Sequence, residues 1–294
     1  MNIQGTLQLP QLGIIRANGT QAAQFLNAQL SANITQMSEN KAQFAAYCSA
    51  QGRVLASFIV LQNAPEEFLL IGSSDILEVT LARLNKFIMR AQVQLSIAAD
   101  LAIYAQVHHA VTKSAIDPLT LKKEDDTIII ELFSVQNIQR QLLICNKEKP
   151  LIGQHSLSAD IWNWLNISSG FLMVDAATRE QFIPQMLNYE SLGAIDFNKG
   201  CYPGQEVVAR SQFRGTVKRR LTILHIEQKI QSGDTVLAGE EEIGTILTAA
   251  PHSEQGWDAL TVLPVNVQDL PLTAGAAKNK ATVVPLPYTL RDDF

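Results

Sequence analysis

The stretch D-I-L-E-V-T-L-A-R-L-N-K-F-I-M-R-A-Q-V-Q-L-S-I, residues 75 to 97, changes its hydrophobic period part-way along, and that change decides the fold class. Ile76, Val79, Thr80, Leu84, Phe87 and Ile88 recur at the spacing that lines one side of an α-helix, with Asp75 and Glu78 placed as a capping box. Val93, Leu95 and Ile97 then alternate with polar residues, as the buried face of a strand does. Upstream, residues 54 to 61 and 68 to 71 are apolar, β-prone runs, and the intervening 63 to 67, with Pro65, is turn-like. Strand, strand, helix, strand is the order of an α+β layer of the split β-α-β kind.

On the N-terminal side of this layer, Phe25, Leu26 and Leu30 share one helical side after an Asn18-Gly19 turn, which predicts a helix over about 20 to 30. On its C-terminal side a second cycle begins near 101. Residues 103 to 107, 127 to 132 and 141 to 145 read as strands between loops rich in Lys, Asp and Glu, and 158 to 165 reads as a short helix. Beyond about 213 come short β runs, R-L-T-I-L-H-I, T-V-L-A-G, I-G-T-I-L-T and A-L-T-V-L, divided by Gly, Asp and Asn; these predict a small barrel. The expected domains are therefore 1 to 98 (α+β), 99 to 212 (a second α+β domain) and 213 to 294 (a C-terminal β-barrel).

The 294 residues are 47% hydrophobic and 17% charged, enough apolar material for sizeable cores in two or three domains. A net charge of -5 leaves no overall pull towards polyanions, so any nucleic-acid contact must come from a local patch. Cys48, Cys145 and Cys201 form neither a C-x-x-C pair nor an even disulfide framework, which fits a reducing compartment. The opening M-N-I-Q-G-T-L-Q-L-P has no basic stretch leading into an apolar one, and no apolar run approaches the ~18 residues of a membrane span. The expectation is a cytoplasmic, unanchored monomer. His108 and His109 are adjacent and point to opposite faces of a strand, while His155, His225 and His252 have no spaced partner, so no metal site is expected.

Between 196 and 210 the chain reads D-F-N-K-G-C-Y-P-G-Q-E-V-V-A-R. Gly200 and Gly204 allow backbone geometry or close approaches that a side chain blocks, and Pro203 fixes its own φ, so a rigid loop presenting Cys201 beside Lys199 is expected. A nearby ammonium favours thiolate over thiol, which makes Cys201 the candidate catalytic or ligand-forming sulfur. The alternative on residue type alone is a small buried Cys201 in a tight turn, with Lys199 in solvent.

K-G-C-Y-P-G-Q-E, comprising Lys199, Gly200, Cys201, Tyr202, Pro203, Gly204, Gln205 and Glu206, resembles the signature of the YgfZ family and of its mitochondrial iron-sulfur-assembly relatives. The likeness extends through Q-F-I-P-Q at 181 to 185, A-R-S-Q-F-R-G at 209 to 215 and P-L-P-Y at 285 to 288. In the first half it is chiefly N-G-T-Q-A-A-Q-F-L-N-A-Q-L-S-A-N-I and S-A-Q-G-R-V. The family is related to the aminomethyltransferase of the glycine cleavage system. The resemblance implies two ferredoxin-like α+β domains, interleaved along the chain, and a C-terminal β-barrel around a central folate-binding channel. It implies an accessory protein that binds tetrahydrofolate or a derivative, supports tRNA thiolation, and acts indirectly on iron-sulfur enzymes such as a tRNA methylthiotransferase. No independent catalysis is expected. The alternatives are a folate-dependent aminomethyl or one-carbon transferase, against which stand the cysteine motif and the loss of an acidic group at Gln185, and an RNA-binding module. The acidic balance and the lack of an aromatic RNA-reading pattern argue against direct tRNA binding.

Folate binding calls for a stacking face, an amide or carboxylate for the pterin edge and a cation for the glutamate tail. By resemblance, Trp162 supplies the ring, the alternative being that Trp162 and Trp164 are core aromatics. A second family tryptophan corresponds to Leu12, which keeps apolar contact and loses the ring. Gln185 stands where many relatives carry a carboxylate, and its amide both donates and accepts. Asp175, in M-V-D-A-A-T, is a further candidate or else ends a strand. Arg210 heads a basic run with Arg214, Lys218, Arg219 and Arg220, read either as a phosphate or glutamate receptor or as a solvated strand edge.

Overall fold

A computed structural model of the chain describes residues 3–109, 117–149, 151, 155–213, 215, 217–267 and 270–291. The chain forms two compact units, the first comprising Met1–Leu157, Met173–Pro184 and Leu192–Ala209, the second Ser158–Leu172, Gln185–Ser191 and Arg210–Phe294.

In chain order the first unit contains β1 (Gly5–Gln8), β2 (Leu12–Asn18), α1 (Ala22–Gln29), β3 (Gln43–Cys48), β4 (Val54–Ala64), β5 (Glu67–Ser73), α2 (Leu77–Asn85) and β6 (Gln94–Ile97). After these come β7 (Leu101–His109), β8 (Leu121–Glu124), β9 (Thr127–Glu131) and β10 (Ile138–Asn146). One sheet has the order β3-β4-β5-β2-β6, and each neighbouring pair is antiparallel. β2 therefore lies between β5 and β6, the split β-α-β arrangement expected from residues 54 to 97. β4 is buried over its first eight residues, V-L-A-S-F-I-V-L, because it is an inner strand covered on both faces. The second sheet has the order β1-β7-β10-β9-β8. β1 pairs with β7, from Gly5 opposite Val107 to Gln8 opposite Tyr104, so the two sheets interleave along the chain. They also join at their edges, where Ala42 N donates to Leu119 O (2.7 Å) and Leu121 N to Asn40 O (2.8 Å).

The second unit contains α3 (Ala159–Ser168) and a closed barrel built from β11 (Arg219–Ile226), β12 (Thr235–Ala238), β13 (Glu241–Pro251), β14 (Trp257–Pro264), β15 (Leu272–Ala274) and β16 (Asn279–Val284). The strand order is β11-β14-β13-β12-β15-β16, and β16 pairs back onto β11. Leu224, Val236, Ile246, Ala259, Leu263 and Ala274 fill its core. Ser158 caps α3 by accepting from Asp160 N (3.2 Å), and Trp164 Nε1 donates to Asp258 Oδ2 (2.9 Å) on β14, fixing the helix to the barrel wall. The P-L-P-Y segment closes this unit: Tyr288 donates its hydroxyl to Gly170 O (2.7 Å) and accepts from Asn188 Nδ2 (3.2 Å). The α+β architecture with a C-terminal barrel is the one expected from the patterning.

Two local expectations are corrected. α2 stops at Asn85, short of Phe87 and Ile88, because the chain turns sharply before β6 through Met89 at φ 46°. Asp75 and Glu78 form no capping box. A 3-10 turn, Ser74–Ile76, precedes α2, and the Asp75 carboxylate instead accepts from Ser73 Oγ (2.7 Å) and Ala176 N (3.0 Å).

Candidate functional site

The signature loop lies in the first unit, and three sequence segments far apart in the chain converge on it. At its start, the Lys199 side chain points inward. Its Nζ donates to the carbonyl oxygens of Asn27, Leu30 and Ala32 at 2.5, 2.6 and 2.7 Å. These groups end α1 and the turn after it, where backbone carbonyls lack helical partners and the helix dipole is negative. Lys199 is 8% exposed, and burial presses its amine down to about 8, opposed by Asp196. The Tyr202 ring sits 5.3 Å from the same nitrogen. Both sequence-based placements of Lys199, beside the thiol or out in solvent, are therefore corrected: the ammonium is a cap for α1.

The same seam is tied by Ser31, whose Oγ donates to Ala194 O (2.6 Å) and accepts from Ala46 N (2.8 Å), while its carbonyl accepts from Asp196 N (3.0 Å). Asn33 Nδ2 donates to Asp196 Oδ2 (3.1 Å), and Asn198 N to Asp196 Oδ1 (2.8 Å).

At the other end of the loop, Gly204 has φ +79°, and a Cβ there would stand 2.3 Å from Ser49 O, 2.8 Å from Gly52 Cα and 2.9 Å from Gly52 N. Gly52, at φ +72°, faces Val207 in turn. The S-A-Q-G-R-V turn and the signature loop thus touch backbone to backbone, which only glycine at both positions permits. Gly200 differs. Nothing lies within 4 Å of a Cβ built on it, so the expectation of a required glycine holds for 204 and is corrected for 200. The Q-F-I-P-Q segment docks beside this turn: Val54 N donates to Phe182 O (2.8 Å), Glu180 N to Val54 O (2.8 Å) and Arg53 Nη1 to Gln181 O (2.6 Å).

Between the two anchors Cys201 is exposed, whereas Cys48 and Cys145 are buried. Burial pushes the Cys48 thiol up to about 12. Tyr202 is buried, and its hydroxyl has no hydrogen-bond partner among the described residues; burial, then Cys48 and Asp196, raise its pKa. Gln205 and Glu206 begin α4 (Gln205–Phe213), with Glu206 exposed. The loop is a two-point mount for one accessible thiol.

The other sequence-derived candidates fall in both units. Leu12 begins β2 opposite Ser73, half-buried. Asp175 is engaged in its own turn, Oδ1 accepting from Thr178 N (2.9 Å) and Oγ1 (2.6 Å). Trp162 on α3 is 3% exposed and Gln185 0%. Arg210, on α4, is exposed. The basic run does not form one patch. Arg219 Nη2 donates to Ile243 O (2.6 Å) and Val262 O (2.7 Å), and Arg220 is buried against Glu190, Asn188 Oδ1 and Gln185 O. Of the other members, Lys218 is exposed and Arg214 lies outside the described residues. The Arg220–Glu190 pair escaped the sequence reading, since 30 residues separate partners whose spacing carries no periodic signal. Burial raises the Glu190 pKa, and Arg220 opposes that rise. Among the described residues no three His, Cys, Asp or Glu side chains are grouped to hold a metal, and no helix is long and apolar enough to cross a membrane.

The tRNA-modifying protein YgfZ of Colwellia psychrerythraea strain 34H is 30% identical over 305 residues, an alignment covering 97% of this chain and 93% of that protein. The chain belongs to the YgfZ family. The YgfZ protein of Shigella boydii serotype 4 is 29% identical over 308 residues, 97% of this chain and 94% of its own. No family model matches the sequence. Among solved structures, the glycine cleavage system aminomethyltransferase T from Bartonella henselae superposes with a TM-score of 0.75 at 12% identity, covering 97% of this chain and 86% of that one; at that identity the likeness establishes the shared fold. In this YgfZ family member the two mounts of the signature loop, the N-A-Q-L-S-A-N segment and the S-A-Q-G-R-V turn, lie in the stretches of the first half that carry the family likeness.

Proposed function

We propose that this chain is a folate-binding accessory protein of tRNA modification. It acts in the cytoplasm as a monomer and sustains iron-sulfur enzymes such as a tRNA methylthiotransferase through the Cys201 thiol. The observation carrying this reading is the exposed Cys201 between two fixed anchors, in a chain whose relatives are named tRNA-modifying proteins. A loop that needed only to turn would not require both a buried ammonium and a glycine pair.

Tetrahydrofolate or a derivative is the ligand the candidate residues fit in chemical kind. Trp162 offers an indole face, Gln185 an amide for the pterin edge and Arg210 a cation for the glutamate tail. Bound folate supplies a one-carbon carrier. Trp162 and Gln185 are covered here, so a pterin reaches them by displacing what covers them.

Titration of tetrahydrofolate against the wild type and Trp162→Ala tests the ligand. Loss of an aromatic contact should weaken binding by about 1 kcal/mol or more. Unchanged affinity in a folded variant removes Trp162 from the site. Complementation of tRNA thiolation by Cys201→Ala, in a strain lacking this protein, tests the thiol; full complementation refutes its use.

A further inference from the structure

The signature lysine is buried, and it is the charged anchor next to Cys201 in the loop, three residues beyond the Asp196 carboxylate that Asn33 holds. Three carbonyls at 2.5 to 2.7 Å surround its nitrogen, and no side-chain carboxylate is hydrogen-bonded to it. α1 carries no charged residue, nor do residues 30 to 33. The titratable groups facing the amine are Asp196 and Tyr202 on the loop itself, with Cys48 on β3 acting on Tyr202. The amine is thus held by a helix end, and the loop cannot move away without taking it into water.

We propose that Lys199 is the positioning residue for Cys201: its amine latches the signature loop to the end of α1, and release of that latch is what lets the loop move. This rests on the reading of Cys201 as the functional thiol. The seat consists of three acceptors. The ammonium has a hydrogen for each of the three carbonyls, whereas a neutral amine has only two. Burial lowers the amine to about 8, so below that pH the seat holds the charged, three-donor form.

The test is hydrogen exchange by mass spectrometry on the intact chain at about pH 7, following a peptide over residues 197 to 204, beside the rate at which a thiol-reactive probe modifies Cys201. Lys199→Met loses all three donors, so this peptide should exchange at least tenfold faster than in the wild type and the probe rate at Cys201 should change with it. Lys199→Arg keeps the charge and the donors and should recover part of the protection. A Lys199→Met profile matching the wild type overturns the latch. If Lys199→Met does not fold, Lys199→Gln, which keeps two of the three hydrogens, decides by the same comparison. Complementation of tRNA thiolation separates the two readings. Faster exchange in Lys199→Met while Cys201→Ala complements fully refutes the thiol and leaves the latch. Unchanged exchange in Lys199→Met with Cys201→Ala inactive refutes the latch alone.

Discussion

Replacing Gly204 by alanine sets two independent penalties against each other's absence at Gly200, four residues away in the same motif. At Gly204 an L-residue must hold φ +79°, which costs roughly 1–2 kcal/mol. Its Cβ would also fall 2.3 Å from Ser49 O and under 3.0 Å from two backbone atoms of Gly52. No flexible side chain can swing aside, so two backbone segments must separate, at an overpacking cost of about 1–3 kcal/mol. Gly204→Ala should lose roughly 2–5 kcal/mol, a fall in Tm of roughly 5–15 °C for a domain of this size. Gly200→Ala meets open space and should stay within about 0.5 kcal/mol of the wild type. Thermal melts of the three proteins followed by tryptophan fluorescence, with urea titrations for ΔG, compare them directly. If the two variants melt within a degree of each other, the backbone contact between the signature loop and the S-A-Q-G-R-V turn does not exist in solution.

A thiol-reactive probe under native conditions should modify Cys201 well before Cys48 or Cys145, and Cys201→Ala should melt within a few degrees of the wild type; mass mapping that finds Cys48 first refutes the assignment. Tyr202→Phe removes a buried hydroxyl that lacks a partner among the described residues, so it should be neutral or stabilising, and a loss above about 1 kcal/mol in urea titrations would reveal a bond to that oxygen. Arg220→Met leaves the buried Glu190 carboxylate uncompensated and should cost about 3–5 kcal/mol at pH 7. Because the folded-state pKa of Glu190 is already raised and rises further without Arg220, stability should be regained as pH falls towards 5 and lost as pH rises through that pKa. A variant whose deficit grows on acidification would contradict the assignment.

Periodicity made the fold legible where one face of an element is buried and the other is wet. Ile76, Thr80, Leu84 and Leu95 show it, whereas Val79 and Ile97, expected on the same faces, are exposed; residues 54 to 61 were legible differently, by a continuous apolar run that marks an inner strand. β1, G-T-L-Q, escaped because three residues of intermediate burial and one exposed carry no pattern, and its partner β7 lies nearly 100 residues later. β8 escaped because L-K-K-E is a short edge strand with one buried residue. Phe87 and Ile88 misled for the converse reason: they continue a helical spacing that the turn into β6 interrupts, and Phe87 is 44% exposed. At the site, the motif was visible as a cluster of unusual residue types, but Lys199 was read by its neighbour in sequence. Its partners, Asn27, Leu30 and Ala32, contribute backbone carbonyls, which every residue has, so no side-chain pattern could announce them.

That distinction separates the members of the signature by what they face. Lys199 and Gly204 turn inward to a helix end and a backbone turn, and Tyr202 is buried beside the Lys199 amine; Cys201 and Glu206 face outward. Inward members are constrained by packing whatever the chemistry, so loss of function on changing them says little about mechanism unless the loop is shown to stay seated. The thiol is different, because its removal leaves every anchor in place. A functional defect in Cys201→Ala with unchanged exchange over residues 197 to 204 therefore isolates the sulfur, whereas the same defect in Gly204→Ala reports only that the mount has moved.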